Sequence, residues 1–305
     1  MHRFNMGIIG PKTSFSTSGT SGFFSPNVSL VEAGAGSSSS GLGPDITKIS
    51  YANDYLDVSS EESAPQGVTF KPDGTRAYIC GNSSDTVLQY NLSTAWDLST
   101  GSYSTSFNTP TVNPRDLALN NDGTKIYTID GTQVFQASLS TAYDLSTASD
   151  DGSSARNQLP VSGYGLCFAS DGSAFYWCDS NARNIYQVNL TTAYDVSTGS
   201  SISYTLNYPS NMGYIAGAQC LDINADGTKM LLITNGSNTY SATAYVLEMS
   251  TPNDLSTVSL QNGLGYNFLA SSPQDSSVTG VYIKPAGDAF YVSTLVTDSI
   301  VAYNC

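Results

Sequence analysis

The stretch GVTFKPDGTRAYICGNSSDTVLQYNLSTAWDLST, Gly67 to Thr100, decides the fold, because the chain restates it several times with its punctuation in place. Its Asp73-Gly74 pair recurs as Asp122-Gly123, Asp171-Gly172 and Asp226-Gly227, and a degenerate Ala286-Gly287 closes the series. Its ending, Asp-Leu/Val-Ser-Thr, starts at Asp97 and returns at Asp144, Asp195 and Asp254. Such self-similarity marks a repeat architecture, in which each unit is one supersecondary element that buries its core against its neighbours. The expectation is a single closed array over residues 67–305 rather than two ordinary domains.

Each unit reads as four strands. The first, residues 68–71, runs into Pro72-Asp73-Gly74-Thr75, a turn in which proline presets φ, aspartate caps the backbone and glycine takes the positive φ. The second, residues 76–80, is apolar on both faces. Tyr78, Tyr127, Tyr176, Leu231 and Tyr291 share one face, and Ala77 with Ile79 is answered on the other by Ile126, Phe175, Met230 and Phe290. A strand of this kind needs sheets packed on both sides. The third ends at Leu92, with Leu139, Leu190, Met249 and Cys305 in the same place, so the chain stops where the other units turn toward Asp-Leu-Ser-Thr. A fourth, more polar strand such as 102–108 suits an outer edge.

The strand missing from the last unit turns up at the other end of the chain. Asp45-Ile46-Thr47 aligns with Asp97-Leu98-Ser99, and Ser50-Tyr51 with Ser102-Tyr103. The predicted fold is therefore all-β: residues 45–305 form a five-bladed β-propeller of four-stranded blades closed by an N-terminal outer strand. Residues 1–44, rich in Gly and Ser, read as an extended arm that cannot bury a core of its own. Its apolar islands supply the candidate partner-anchoring residues Ile8, Ile9, Phe23 and Phe24, whose partner is another protein or another copy of the chain.

Composition excludes several functions. Of 305 residues, 11 are Lys or Arg and 25 are Asp or Glu, a formal net charge of −14 that repels nucleic acid phosphates. No apolar run is long enough to span a membrane, and the N-terminus lacks the pattern of a signal peptide. His2 is the single histidine, and the five cysteines show no C-x-x-C spacing, so they read as small buried thiols. The repeated aspartates lack the D-x-[DN]-x-[DN]-G spacing of a calcium loop and read as turn caps.

Glycoside hydrolysis needs a pair of carboxylates. The inner strands begin at Gly67, Asp116, Gly165, Cys220 and Gly280. Asp116, with Asp222 further along, falls short of such a pair, and the glycines suit an axis where backbones approach closely. No catalytic residue, cofactor or metal is expected. Asp54, Asp57, Glu61 and Glu62, beside the closing strand, read as a solvated acidic face.

The units FKPDGTRAYICGNSSDTVLQYNLS and LNNDGTKIYTIDGTQVFQASLS resemble the YVTN-type propeller repeat. The added loop Ser-Thr-Ala-Trp/Tyr-Asp-Leu-Ser-Thr departs from it. That loop, with the leader Gly7-Ile8-Ile9-Gly10 and Ser21-Gly22-Phe23-Phe24-Ser25, is similar to virion proteins of marine tailed phages. The resemblance implies a non-enzymatic tail, fibre or capsid-decoration subunit, assembled in the host cytoplasm and displayed on the particle surface. Its partners would be other virion proteins, met through residues 1–44. The alternative is a carbohydrate-binding propeller that recognises host-surface glycan, with exposed tyrosines stacking on sugars.

Overall fold

The computed structural model describes residues 43–110, 112–208, 217–234, 242–260, 265–268 and 277–305. The chain divides into two units, Met1–Ser40 and Gly41–Cys305, and Ile8, Ile9, Phe23 and Phe24 lie outside the described residues.

Five antiparallel sheets make up the second unit. Blade I runs outward from Pro65–Phe70 through Arg76–Gly81 and Thr86–Leu92 to Gly101–Asn108. Blade II holds Asp116–Leu119, Lys125–Ile129 and Gln133–Leu139, with an outer edge broken into Ala148–Asp150 and Asn157–Gln158. Blade III holds Leu166–Phe168, Ala174–Asp179, Asn184–Asn189 and Tyr204–Asn207. Blade IV holds Ala218–Ile223, Lys229–Thr234 and Thr243–Met249, its edge again broken, into Val258–Leu260 and Tyr266–Asn267. Blade V takes Val278–Ile283, Ala289–Thr294 and Ser299–Asn304 from the C-terminus and Ser50–Asp57 from the N-terminus. The five innermost strands lie side by side in a ring, the fifth against the first. This is a five-bladed propeller of four-stranded antiparallel blades.

Closure by the N-terminal strand holds at the level of register. Ser50 faces Asn304 and Tyr51 faces Tyr303, as Ser102 faces Asn91 and Tyr103 faces Tyr90 in blade I. The Cys305 N–H bonds the Asp288 carbonyl, as Leu92 bonds Thr75, Leu139 bonds Thr124, Leu190 bonds Ser173 and Met249 bonds Thr228. Cys305 thus ends the last blade at the equivalent residue.

The core consists of five apolar clusters, each between two neighbouring blades, which is why the second strands are apolar on both faces. Every cluster receives the apolar residue of one Asp-Leu-Ser-Thr loop: Leu98, Leu145, Val196 and Leu255, with Ile46 doing the same for the divided blade. The loop is therefore a wedge between blades. Its polar residues hold its shape. Asp144, Asp195 and Asp254 accept the N–H of the serine two residues on, and the threonine hydroxyl donates to the carbonyl of the same aspartate.

Blade I differs instructively. There the N–H groups of Leu98 and Ser99 donate to Asp54 of the closing strand, at 2.9 and 3.0 Å, and latch that strand to blade I. Two neighbours act alike, so the expected solvated acidic face is corrected. Glu61 accepts from the Tyr90 hydroxyl. Glu62 is 1% exposed and takes bonds from Ala64, Ser83 and Ser84. Burial raises the Glu62 pKa, but the hydrogen bonds from Ser83 and Ser84 outweigh it, and the net shift is downward. These acids serve as acceptors for N–H and O–H groups that the connection between closing strand and blade I would otherwise strand.

A second set of ties uses the tyrosines of the second strands. The residue before each loop aspartate sits in the left-handed region: Trp96 (φ 68°), Tyr143 (61°), Tyr194 (60°) and Asn253 (62°). This conformation is unfavourable for bulky side chains. Two contacts hold it. The N–H of each bonds the carbonyl of the turn glycine in its own blade, Gly74, Gly123, Gly172 or Gly227. The side chain lies over that glycine, so closely that a Cβ on Gly74 would sit 2.3 Å from Trp96. The carbonyl then accepts a tyrosine hydroxyl from the adjacent blade: Tyr78 to Tyr143, Tyr127 to Tyr194, Tyr176 to Asn253 and Tyr291 to Trp96. Blade IV carries Leu231 at this position and has no hydroxyl to offer. Tyr127→Phe should lower stability by about 1 kcal/mol, read as a lower midpoint in urea with an unchanged slope. The same change at Tyr78 should add to it almost independently, because the two bonds cross different junctions.

Candidate functional site

The axis of the ring has a closed end and an open end. At the closed end stand Gly67, Asp116, Gly165, Cys220 and Gly280, which share one register; the expectation that they begin the inner strands is corrected, since three of those strands start two residues earlier, at Pro65, Ala218 and Val278. A Cβ on Gly67 would lie 2.7 Å from the Asp116 Cα, one on Gly165 2.8 Å from the Cys220 Cα, and one on Gly280 2.8 Å from the Gly67 Cα. Three of the five positions must lack a side chain for the strands to approach this closely, as the sequence led us to expect.

Asp116 fills a fourth position and is 1% exposed. One carboxyl oxygen accepts the Leu117 N–H at 2.9 Å, and the other accepts the Leu166 N–H of blade III at 2.8 Å. Asp222, two residues further along its own strand than Asp116 on its, repeats the arrangement between blades IV and V, with Ile223 N–H at 2.9 Å and Ile283 N–H at 2.7 Å. The two acids are staples between inner strands. They stand two residues apart in register along the axis, and the Asp222 charge adds to the upward shift that burial gives Asp116.

Above the closed end the inner strands diverge around a cavity of about 380 Å³. Thr69, Ala118, Cys167, Asp222 and Tyr282, one from each blade and all in the same register, form its wall. Pro72, Asn121, Ser170, Ala225 and Pro285, again one per blade, form its rim at the Asp-Gly turns. Three small or modest wall residues, Thr69, Ala118 and Cys167, leave the space open, a signal readable two residues beyond Gly67, Asp116 and Gly165. Among the described residues no group of three or more His, Cys, Asp or Glu side chains could hold a metal, and no helix is long and apolar enough to cross a membrane. All five cysteines are free, and Cys80, Cys167, Cys178 and Cys220 are buried.

Burial raises the Asp222 carboxyl to about 7, against which the two backbone N–H bonds act. Burial also raises Asp116 well above the ordinary carboxylate range. The turn and loop acids shift the other way. Hydrogen bonds from Thr124 and Ser146 lower Asp122 and Asp144, and Asp73 falls to about 2 because the bonds from Lys71 and Thr75 outweigh its burial.

The signs oppose each other. A carboxyl raised in the folded state contributes stability that is complete below its unfolded pKa of about 4 and is lost as pH climbs through about 7. Lowered carboxyls contribute above about 4, and that contribution is lost toward pH 2. Thermal stability should therefore peak at about pH 4 to 5 and decline from there toward about pH 7. The fall on the alkaline side should flatten in Asp222→Asn, as melting curves from pH 3 to 9 would reveal.

No protein-family model and no curated protein sequence matches the chain. Solved structures similar to it include hydrazine synthase of Kuenenia stuttgartiensis, at 15% identity over 77% of this chain with a TM-score of 0.46. This chain spans only 56% of that one. A protein from Desulfotomaculum acetoxidans described as functionally unknown is 12% identical over 79% of this chain and 68% of its own, with a TM-score of 0.47. The β-propeller domain of Cps50 (Swd1) from Myceliophteria thermophila is 9% identical over 79% of this chain and 83% of its own, also with a TM-score of 0.47. The likeness in each case is one of fold.

Proposed function

We propose that the protein is a non-enzymatic structural component of a tailed-phage virion, a tail, fibre or capsid-decoration subunit that displays its propeller and is held by residues 1–44. The observation that carries this reading is the wording of the repeat, Asp-Gly-Thr-Lys at Asp122 and Tyr-Asp-Leu-Ser-Thr at Tyr143, which resembles marine phage virion proteins. The use made of the acids is consistent with it. Asp116, Asp222, Asp54 and Glu62 all accept backbone N–H groups that join one blade to the next, and a ring stitched in this way suits rigid display. A chain lacking residues 1–44 should keep its melting temperature and its strand content. It should be absent from purified particles when supplied in place of the full chain. Normal incorporation would refute the anchoring role.

A second reading, recognition of host-surface glycan, is favoured by Tyr55, Tyr103 and Tyr204, which stand exposed on the outer strands of three blades. Exposed aromatic faces suit stacking on sugars. A glycan array probed with the full chain and with the triple Tyr→Ala variant decides it, and equal signals from both would rule out these tyrosines.

A further inference from the structure

The axial cavity carries one charge that its walls do not answer. Asp222 is the sole acidic side chain among its lining residues, and no Lys, Arg or His joins it there. Each Asp222 oxygen accepts one backbone N–H, whereas a carboxylate has about four acceptor sites. The lysines beyond the rim are engaged elsewhere. Lys71 pairs with Asp73 at 2.7 Å, and Lys284 pairs with Asp288 at 3.2 Å and lies over the Trp96 ring.

The rest of the lining is mixed: Thr69, Asn121, Ser170 and Asn224 bring hydroxyl and amide groups, and the remainder is hydrocarbon and aromatic. Ala118, Phe168, Pro72 and Pro285 contribute carbon surface, and Tyr282 stands beside Ile283, whose N–H the carboxylate holds. An acid next to an aromatic ring, with neutral hydroxyl and amide groups around it and no basic side chain, recognises an ammonium group with a carbon body. A bare metal ion would find too few ligands, since one carboxylate cannot replace the six to eight oxygens that calcium takes. An anion would find no Lys, Arg or His to pair with among the lining residues. The volume of about 380 Å³ accommodates a small molecule and excludes a folded chain.

We propose that the axial cavity binds a small organic ammonium ion, its charged head on Asp222 and its hydrocarbon body against Ala118, Phe168 and the Tyr282 ring. This site is independent of residues 1–44 and of any role on a particle.

Isothermal titration of the full chain at pH 8.5 with butylammonium, and in parallel with 1-butanol, tests it. The amine should bind saturably at one site, and the alcohol at least about tenfold more weakly. Asp222→Asn should weaken the amine by about tenfold or more and leave the alcohol unchanged. Ala225→Trp, at the exposed rim and away from the staple, should weaken both by closing the entrance. If Asp222→Asn fails to fold, the amine-to-alcohol ratio and the rim variant decide the question between them. Equal binding of amine and alcohol, no saturable amine binding up to about 10 mM, or full binding by Ala225→Trp overturns the proposal.

Discussion

A chain lacking residues 1–58 should fail to give a soluble monomeric ring, although one lacking only residues 1–44 should fold. The longer deletion removes Ile46 and Ile49 from the core between blades IV and V, and Leu56 and Val58 from the core between blades V and I. Each is a buried aliphatic side chain contributing about 1.5–3 kcal/mol, so the four together rival the whole net stability of a typical domain, about 5–15 kcal/mol. The loss is also one of pairing. Ser299–Asn304, reading SIVAYN and paired with Ser50–Asp57 in the intact ring apart from a bulge between Tyr51 and Tyr55, becomes an uncharged edge, the kind that templates aggregation. Size-exclusion chromatography with light scattering on the two deletions checks this. A monomeric 59–305 chain with an unchanged melting temperature would mean that the fourth strand of blade V is dispensable.

Asp116→Ala should be the most damaging single substitution on the axis. It strands the N–H groups of Leu117 and Leu166, both in a region sealed from solvent, at about 1–3 kcal/mol for each donor left unpaired. For a chain of this size that is a fall of roughly 5–15 °C in melting temperature. Asp116→Asn should land between, since the amide keeps one acceptor but turns an N–H₂ toward the other donor. Asp222→Ala should cost less, because its donors border the open cavity and water can reach them. A melting series of the three variants orders these effects. Asp222→Ala proving worse than Asp116→Ala would show that depth along the axis does not govern the cost.

Much of this architecture is legible in the residues, and the parts that are not share a reason. The Asp-Gly turns, the place of Cys305 and the alignment of Ile46 with Leu98 are patterns of residue type at fixed intervals, so they can be read directly. The crowding at Gly67, Gly165 and Gly280 follows from the same register. The ties across blade junctions are not readable, because their acceptors are backbone carbonyls. Tyr127 is recognisable as one more apolar residue of a second strand, but nothing in the string says that its hydroxyl meets the Tyr194 carbonyl, 67 residues away. Glu62 and Asp54 mislead for a related reason. Charge predicts exposure by default, and the N–H groups that draw these acids inward have no letter of their own. The axial cavity lies between these cases, since Ala118 and Cys167 hint at space while its depth depends on how all five inner strands diverge.

The offset between chain order and ring order has a consequence for topology. In blade I only Ser93-Thr94-Ala95 separates Leu92 from Trp96, and in blade V Cys305 and Pro44 occupy those two places with no peptide between them. With residues 1–43 removed, a Ser-Thr-Ala tether from Cys305 to Pro44 would make the ring a continuous circle of five connections of equal length. The ends could then be reopened beyond any other third strand, giving circular permutants that leave the same staples and wedges in place. Where the polypeptide begins is thus a matter of genetic punctuation, and it can be moved without redesigning the ring.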